Sequence, residues 1–574
     1  MTQRPLSARN RHWNILPRAP AEFVRQSGLS PLLASLLYQR DVRDPEATRL
    51  FLEADYSRDL HDPLRMRGMA EASARIAEAI ARGEPMAVYG DFDTDGVTAV
   101  TLLVQALSAM GANIRPYIPH RLREGYGLNT QALHRLAGEG VRLLITVDCG
   151  ISNLAEVDAA TRAGLDVIVT DHHTPPATLP AALAVVNPKQ PGCAYPYKHL
   201  VGVGIAFKLV QALVRRGLSL GAVRGRDLLD VVALGTVADM GPLTGENRVL
   251  VKAGLQALNA TRRPGLKALI EVSGLVQGQI SATDIGFMLG PRLNAAGRLD
   301  DAVRAYQLLL AADYASARAI AEELNRTNRE RQELTKQVQA AARAQAEATG
   351  KHRQRVVVIA SEAFPAGVVG LVAGKLVEEW GRPVVLIERG AEHSRGSARS
   401  IPGFSMIEAL TGCSELFVRF GGHAAAAGFT IANANLPRLE QHLLAWAEER
   451  LTDAMLQPAL TIDATLDLKD LSHDLLAELR RLEPFGQANP LPTLMSPGVQ
   501  VVDARPRGGD GQHLRLLLRR DGVTYEGIAF RLGHLAEALR RHPLIDVAYH
   551  LEANQWNGET RLQLNIKDFR RARG

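Results

Sequence analysis

The 574-residue chain, of 62.2 kDa, is too long for one compact core, and ~100–200 residues per domain predicts three or four domains. Hydrophobic residues at 46% and charged residues at 22% exclude a disordered or collagen-like chain, and no run approaches the roughly 18 apolar residues of a membrane span. Cys149, Cys193 and Cys413 without a C-x-x-C exclude a disulfide scaffold and a thiolate zinc site, while a net charge of +6 carried by 57 Arg against 10 Lys suits a polyanionic partner.

The first 20 residues lack the apolar segment of a secretory signal, so a reducing, cytoplasmic location is expected. Residues 1–75 read as short helices and turns. From Met86 the chain alternates strand and helix: MAVYG (86–90), a helix Val97–Met110, NIRPYI, a helix near Asn129–Leu136, LLITV (143–147), a helix near Ser152–Arg162 and DVIVT (166–170). Continuous apolar runs joined by helices predict an open parallel α/β sheet over 76–312, where chemistry gathers beyond the carboxyl ends of the strands. Val201–Asp301 is mostly helical. A long charged helix over 313–350 lacks a wide apolar face and suits a bridge between lobes. A second α/β unit spans 351–456, with VVVIA, a helix Val368–Glu379 and VVLIE. Six short strand-like segments over 457–574 predict a small β-barrel.

Four stretches place carboxylates or histidines where apolar strands are expected to end. They are Asp91-Phe92-Asp93-Thr94-Asp95-Gly96, Val147-Asp148-Cys149-Gly150, Asp171-His172-His173 and Gly235-Thr236-Val237-Ala238-Asp239-Met240. In an extended backbone Asp91, Asp93 and Asp95 share a face, and a cation relieves the repulsion between them. Oxygen ligands with one or two imidazoles favour Mn²⁺ or Mg²⁺, and a carboxylate can bridge two ions that together hydrolyse a phosphoester. Each Asp alone reads more readily as a helix N-cap than as a ligand. Four together do not.

DFDTDG, VDCG, DHH and GTVADM, in this order, resemble the four motifs of the DHH phosphoesterase superfamily, and GGHAAAAGF (421–429) resembles the motif of its DHHA1 domain. REGYG (123–127), GPRLNAAGR (290–298) and EPFGQANP (483–490) are closer still to the RecJ family of single-stranded-DNA exonucleases. The resemblance covers residue 20 to the C-terminus. It implies two α/β lobes, DHH and DHHA1, joined by a long helix, with a C-terminal OB-like barrel. It also implies two Mn²⁺ or Mg²⁺ ions on Asp93, Asp95, Asp148, His172 and Asp239, with Asp148 bridging. His173 then faces the scissile phosphate, Asp91 is a direct ligand or orients one, and Asp171 anchors the turn.

For substrate grip the candidates are Arg121, Tyr126, Arg292, Asn294 and Arg298, the last three in an expected glycine-containing turn, with Ser397, Arg399 and His423 from the second lobe. A buried Ala run packed in a helix is the alternative for the His423 segment. Phe429 and Tyr126 are either stacking or core residues. In the barrel Phe485, Tyr525 and Trp556 are candidate stacking residues, and Phe530 is expected in the core. The implied activity is 5′-to-3′ degradation of single-stranded DNA to mononucleotides in recombination and repair. A single-strand-binding protein and a helicase are the implied partners, with no membrane. The rivals are a DHH phosphodiesterase for short oligonucleotides or cyclic dinucleotides, which needs no barrel, and a non-catalytic single-strand-binding scaffold, which needs no metal ligands.

Overall fold

A computed structural model describes residues 7–572, apart from 122, 300, 557 and 558. The first sheet is five-stranded and wholly parallel. Its order is Ile114–Tyr117, Met86–Gly90, Leu143–Val147, Asp166–Thr170, Ala184–Val186. The second and third of these strands are buried at every position, which is why they read as unbroken apolar runs. The strand first in sequence lies beside the third, so the order reverses between Gly90 and Val147. In open α/β sheets such a switch point opens a crevice at the carboxyl ends. Helices Thr94–Ala109, Gly202–Arg215 and Leu229–Ala238 pack over one face in the largest core cluster.

The helix Tyr314–Ala348 runs about 52 Å at 1.5 Å per residue. It buries only a narrow stripe. Ala317, Ala321 and Leu324 enter the core of the first lobe, Val338, Ala342 and Ala346 enter that of the second, and Asn325, Asn328 and Thr335 lie between. The second lobe has the sheet order Phe417–Gly422, Ala426–Ala432, His393–Arg399, Val384–Glu388, Val357–Ser361, parallel only in its last pair.

Strands Leu494–Arg507, His513–Arg520, Val523–Ala529, Glu559–Arg571 and Leu544–Trp556 pair in that order, and the last returns to the first, closing a five-stranded barrel. The N-terminal residues share its core: Leu33, Leu36, Leu37 and Phe51 pack with Leu494, Leu516 and Tyr549. Strand His12–Ile15 pairs with Ala459–Ile462, and the Trp13 indole donates to Asp568 at 2.9 Å. Among the described residues no helix is long and apolar enough to cross a membrane.

Three local expectations are corrected. Gly235–Met240 does not follow a strand; it ends the helix Leu229–Ala238, whose nearly all-round burial left no helical period to read. Arg292, Asn294 and Arg298 lie not in a turn but on the helix Gly290–Leu299. Gly297 there is required by close approach, since a Cβ would come within 2.5 Å of the Phe92 carbonyl oxygen. The Ala424–Ala427 run is not helical: it forms the tip and first residues of a β-hairpin.

Candidate metal centre

Register builds the site. Gly90, Val147, Thr170 and Val186 align across the parallel strands, so Asp91, Asp148, Asp171 and Asn187 stand in one row just beyond the sheet. The ladder continues into that row, with the Asp148 amide donating to Thr170 at 3.1 Å and Asp171 to Val186 at 3.1 Å. Asp148 takes φ +60, a left-handed turn that non-glycine residues rarely adopt and that marks a functional edge.

Asp91, Asp93 and Asp95 do not come together through an extended backbone, as expected, but through a strand-to-helix turn. One oxygen of Asp93 caps the helix Thr94–Ala109, accepting from the Asp95 and Gly96 amides at 2.9 and 3.1 Å. N-capping and ligation are therefore compatible readings of one carboxylate. Asp95, on the first turn, accepts from the Gly202 and Val203 amides at 2.6 and 2.9 Å, at the N-terminus of another helix. A Cβ on Gly202 would strike Asp148 Cβ at 2.6 Å, so only glycine permits this approach.

The His172 Nε2 atom lies 2.9 Å from Asp148 Oδ1, 3.6 Å from Asp239 Oδ2 and 3.9 Å from Asp95 Oδ2. Three donor sets result, each with its donor atoms within 4.8 Å of one another: Asp95–His172–Asp239, Asp91–Asp93–Asp148 and Asp148–His172–His173. Asp148 and His172 recur in two sets each. Asp91 Oδ1 is buried without a hydrogen-bond partner among the described residues, and Asp148 Oδ1 and His172 Nε2, buried and 2.9 Å apart, lack hydrogen-bond geometry between them. Orphaned buried acceptors are costly, and a divalent cation satisfies them.

The electrostatics agree. Burial, then neighbouring carboxylates, pushes Asp91, Asp148 and Asp239 well above the usual carboxylate range, and Asp95 up to about 7. Burial and the His173 charge lower His172 to about 3, leaving a neutral imidazole fit for ligation. Burial opposes charge on His173 also, but its 2.7 Å bond to Asp171 wins and raises it to about 9. Asp171 accepts from the Ile151, His172 and His173 amides as well, and so anchors the turn. The buried Cys149 thiol is pushed up by burial and stays protonated, which keeps it out of the ligand set.

Facing the carboxylates are cations with no carboxylate partner among the described residues. The Arg121 guanidinium stacks over Phe92 at 4.9 Å. Burial, then the charges of Arg121 and Arg331, lowers Arg298 to about 10, with Asp93 and Arg399 also in range. Arg399, from the second lobe, is lowered by burial and by Arg121, and donates to Ser397 Oγ at 3.1 Å. Mutually repelling arginines of this kind could hold an anion. Tyr126 is 59% exposed, with its hydroxyl 3.2 Å from His173 Nε2. His423, at the hairpin tip, is lowered by burial and by the charges of His173 and Lys189, so the second lobe reaches the first across the cleft.

Arg292 does not join this group. Its guanidinium is engaged by Asn325 Oδ1 at 3.0 Å and the Met288 carbonyl at 2.6 Å. Asn294 accepts from the Thr94 amide at 2.9 Å, positioning the helix that carries Asp95. Phe429 is core, its ring lying against Gly396. Phe485 and Tyr525 pack partly on the barrel core, and the Tyr525 hydroxyl donates to Leu471. Phe530 is 49% exposed and so corrects the expectation of a core role: it follows the buried Ala529, the last residue of its strand, and stands outside where the strand ends. The Trp556 side chain lies outside the described residues. Sequence reasoning missed Lys189, which donates to the His172 carbonyl at 2.6 Å, and Arg331 on the long helix. A lysine shortly after the last strand of the sheet was the available signal for the first.

Three family models match the chain: the DHH family N-terminal domain over 85–236, the DHHA1 domain over 353–449 and the RecJ OB domain over 462–568. The single-stranded-DNA-specific exonuclease RecJ of Bacillus subtilis is 39% identical over 550 residues, covering 95% of this chain and 69% of that one. The crystal structure of RecJ in complex with Mn²⁺ from Thermus thermophilus superposes with a TM-score of 0.83 at 33% identity, covering 98% of this chain and 80% of that one. The Mg²⁺ complex from the same organism gives 0.76 at 31%, covering 98% and 79%. With its metal-shaped carboxylate cluster, its cationic facing wall and these matches along nearly its whole length, the chain belongs to the RecJ family of single-stranded-DNA-specific exonucleases.

Proposed function

We propose that the chain hydrolyses single-stranded DNA from its 5′ end to mononucleotides, using two Mn²⁺ or Mg²⁺ ions held by Asp93, Asp95, Asp148, His172 and Asp239. The observation that carries this reading is the set of buried ligand atoms without hydrogen bonds, Asp91 Oδ1, Asp148 Oδ1 and His172 Nε2, beside mutually repelling arginines. When bound, such ions lower the pKa of water and stabilise attacking and leaving oxygens. Asp148 belongs to two of the three donor sets and would be the ligand shared between two ions; Asp91 lies beside it as a ligand or as the group that orients one. Asp171 holds His173 charged through Nδ1, which leaves the Nε2 proton, 3.2 Å from the Tyr126 hydroxyl in this structure, for the scissile phosphate once substrate displaces that hydroxyl.

Arg121, Arg298, Ser397 and Arg399 hold the terminal phosphate, and His423 completes the wall from the second lobe. Asn294 acts by holding the Thr94 amide, and Arg292 by bracing the long helix. A cleft between the two lobes excludes a duplex if its entrance is narrow. The barrel, with Phe530 exposed, extends the grip along the strand. A single-strand-binding protein and a helicase supply the substrate in cytoplasmic recombination and repair.

End-labelled single-stranded and duplex DNA, each with Mn²⁺, Mg²⁺ or EDTA, tests the reading. Mononucleotides released from the 5′ end of the single strand alone, and none in EDTA, is the expected result. Metal-independent cleavage, or equal attack on duplex, overturns it.

A further inference from the structure

The segment Glu483–Pro490 belongs neither to the metal cluster nor to the phosphate wall, yet it touches the stretch of chain that follows Asp239. Beyond Asp239 the backbone turns at Met240, with φ +57. Gly241 then packs so closely that a Cβ would lie 2.8 Å from Val201 Cγ1. Leu243, 1% exposed, donates its amide to the Gln487 carbonyl at 2.8 Å. A Cβ on Gly486 would come within 2.7 Å of Leu243 Cδ1. The loop is therefore fitted against Leu243 by both backbone and shape.

A second bond ties the same two parts. Arg248, on the helix Gly245–Asn259, is 1% exposed and has no carboxylate partner among the described residues. Its guanidinium donates to the carbonyls of Phe51 and Glu483 at 2.6 Å each and of Pro484 at 3.4 Å, and it stacks on Phe51 at 3.9 Å. The loop is rigid where it is gripped: Asn489 donates to the Leu482 and Pro484 carbonyls at 2.8 Å and accepts from Arg40 at 2.8 Å. Apolar side chains would join two modules at less desolvation cost than a buried arginine fork. A fork bonded to three carbonyls fixes register, which packing alone does not.

We propose that the Glu483–Pro490 loop is a positioning element for Asp239. Through Leu243 and Arg248 it sets the Asp239–Thr244 segment, so docking of the C-terminal module places one carboxylate of the metal cluster. Arg248 is a positioning residue and touches neither substrate nor metal. The inference rests on the reading of Asp239 as a ligand.

Mn²⁺ titration calorimetry on the EDTA-stripped full chain tests it, with thermal unfolding measured beside it. Gly486→Ala, which pushes Leu243 from the far module, is expected to weaken Mn²⁺ binding about tenfold, as lost supports of ligands do. Adding Leu243→Val, which removes the struck methyl, is expected to recover most of that loss. Arg248→Lys keeps the charge but loses the fork; it is expected to weaken Mn²⁺ binding too, and it decides the matter if Gly486→Ala does not fold. Ser496→Ala removes a bond to Leu466 inside the barrel module and serves as the control: stability falls and Mn²⁺ affinity holds. Folded Gly486→Ala and Arg248→Lys proteins with the parent's Mn²⁺ affinity overturn the proposal, as does an equal loss in Ser496→Ala. A parent that binds no Mn²⁺ would instead sink the metal reading itself.

Discussion

The two α/β lobes grow from similar strand–helix units and bring charged side chains to the cleft in different ways, the first supplying the carboxylates with Arg121 and Arg298, the second Arg399. In the first lobe parallel register delivers Asp91, Asp148 and Asp171 side by side at the strand ends, where burial and mutual repulsion raise two of the three. In the second, Ser397 and Arg399 sit two apart on one antiparallel strand and share a face. A parallel sheet concentrates chemistry at one edge; an antiparallel strand spreads it along a face. The first arrangement clusters carboxylates at a point, and the second sets Arg399 beside Ser397 and in range of Arg121 and Arg298 of the first lobe.

The largest expected effect breaks the first half of that contrast. Asp148→Ala removes the shared ligand, so hydrolysis at saturating Mn²⁺ should fall by at least about a thousandfold while binding of single-stranded DNA stays near the parent's. Turnover within tenfold of the parent would contradict the bridging role.

Arg399→Ala probes the wall. A charge-assisted phosphate contact is worth ~1.5–3 kcal/mol, so binding should weaken by about 10- to 150-fold. The loss should be larger on 5′-phosphorylated than on 5′-hydroxyl DNA. Arg292→Ala should show no such distinction, because its guanidinium already serves Asn325 and Met288. Equal losses on both ends for Arg399→Ala would move it off the terminal phosphate.

A pH series sharpens the picture of the clustered carboxylates. Asp91, Asp95, Asp148 and Asp239 are raised in the folded state, so they favour folding while protonated. That contribution is full below the ordinary carboxylate value of about 4 and is lost as pH rises through the folded values, near 7 for Asp95. The melting temperature of EDTA-treated protein should therefore fall between pH 5 and pH 8. Saturating Mn²⁺ should flatten that fall. Identical slopes with and without the ion would mean that the cluster does not bind it.

The smallest effect falls on the barrel. Phe530→Ala should weaken binding of long single strands by ~1–3 kcal/mol and leave very short oligonucleotides unaffected. A point substitution is the right probe here, because deleting the barrel would expose Leu33, Leu36 and Phe51. Unchanged long-strand affinity would leave Phe530 without a role in grip.

Much of this was legible in the sequence because buried parallel strands read as apolar runs: Met86–Gly90, Leu143–Val147 and Asp166–Thr170 have the predicted bounds, as does Val384–Glu388. The long helix was legible from its charge, and the structure adds that Asp313 caps it. What failed had physical causes. The helix before Asp239 is buried almost all round and shows no period. Gly290, Pro291 and Gly297 read as a turn, although Pro291 directly follows the π-helical turn Ile285–Leu289 that leads into this helix, and Gly297 answers a contact 205 residues away with Phe92. The pairing of His12–Ile15 with Ala459–Ile462, and the grip of Arg248 on Glu483, have no local signature at all.

The central claim is that the carboxylate row at the sheet's switch point is a two-ion centre. Calorimetric titration of Mn²⁺ into the EDTA-stripped parent and into Asp148→Ala tests it most directly. Two ions per parent chain, with at most one weakly held in the variant, is the predicted result. A parent that takes up no ion, or a variant that binds two as tightly as the parent, would contradict it.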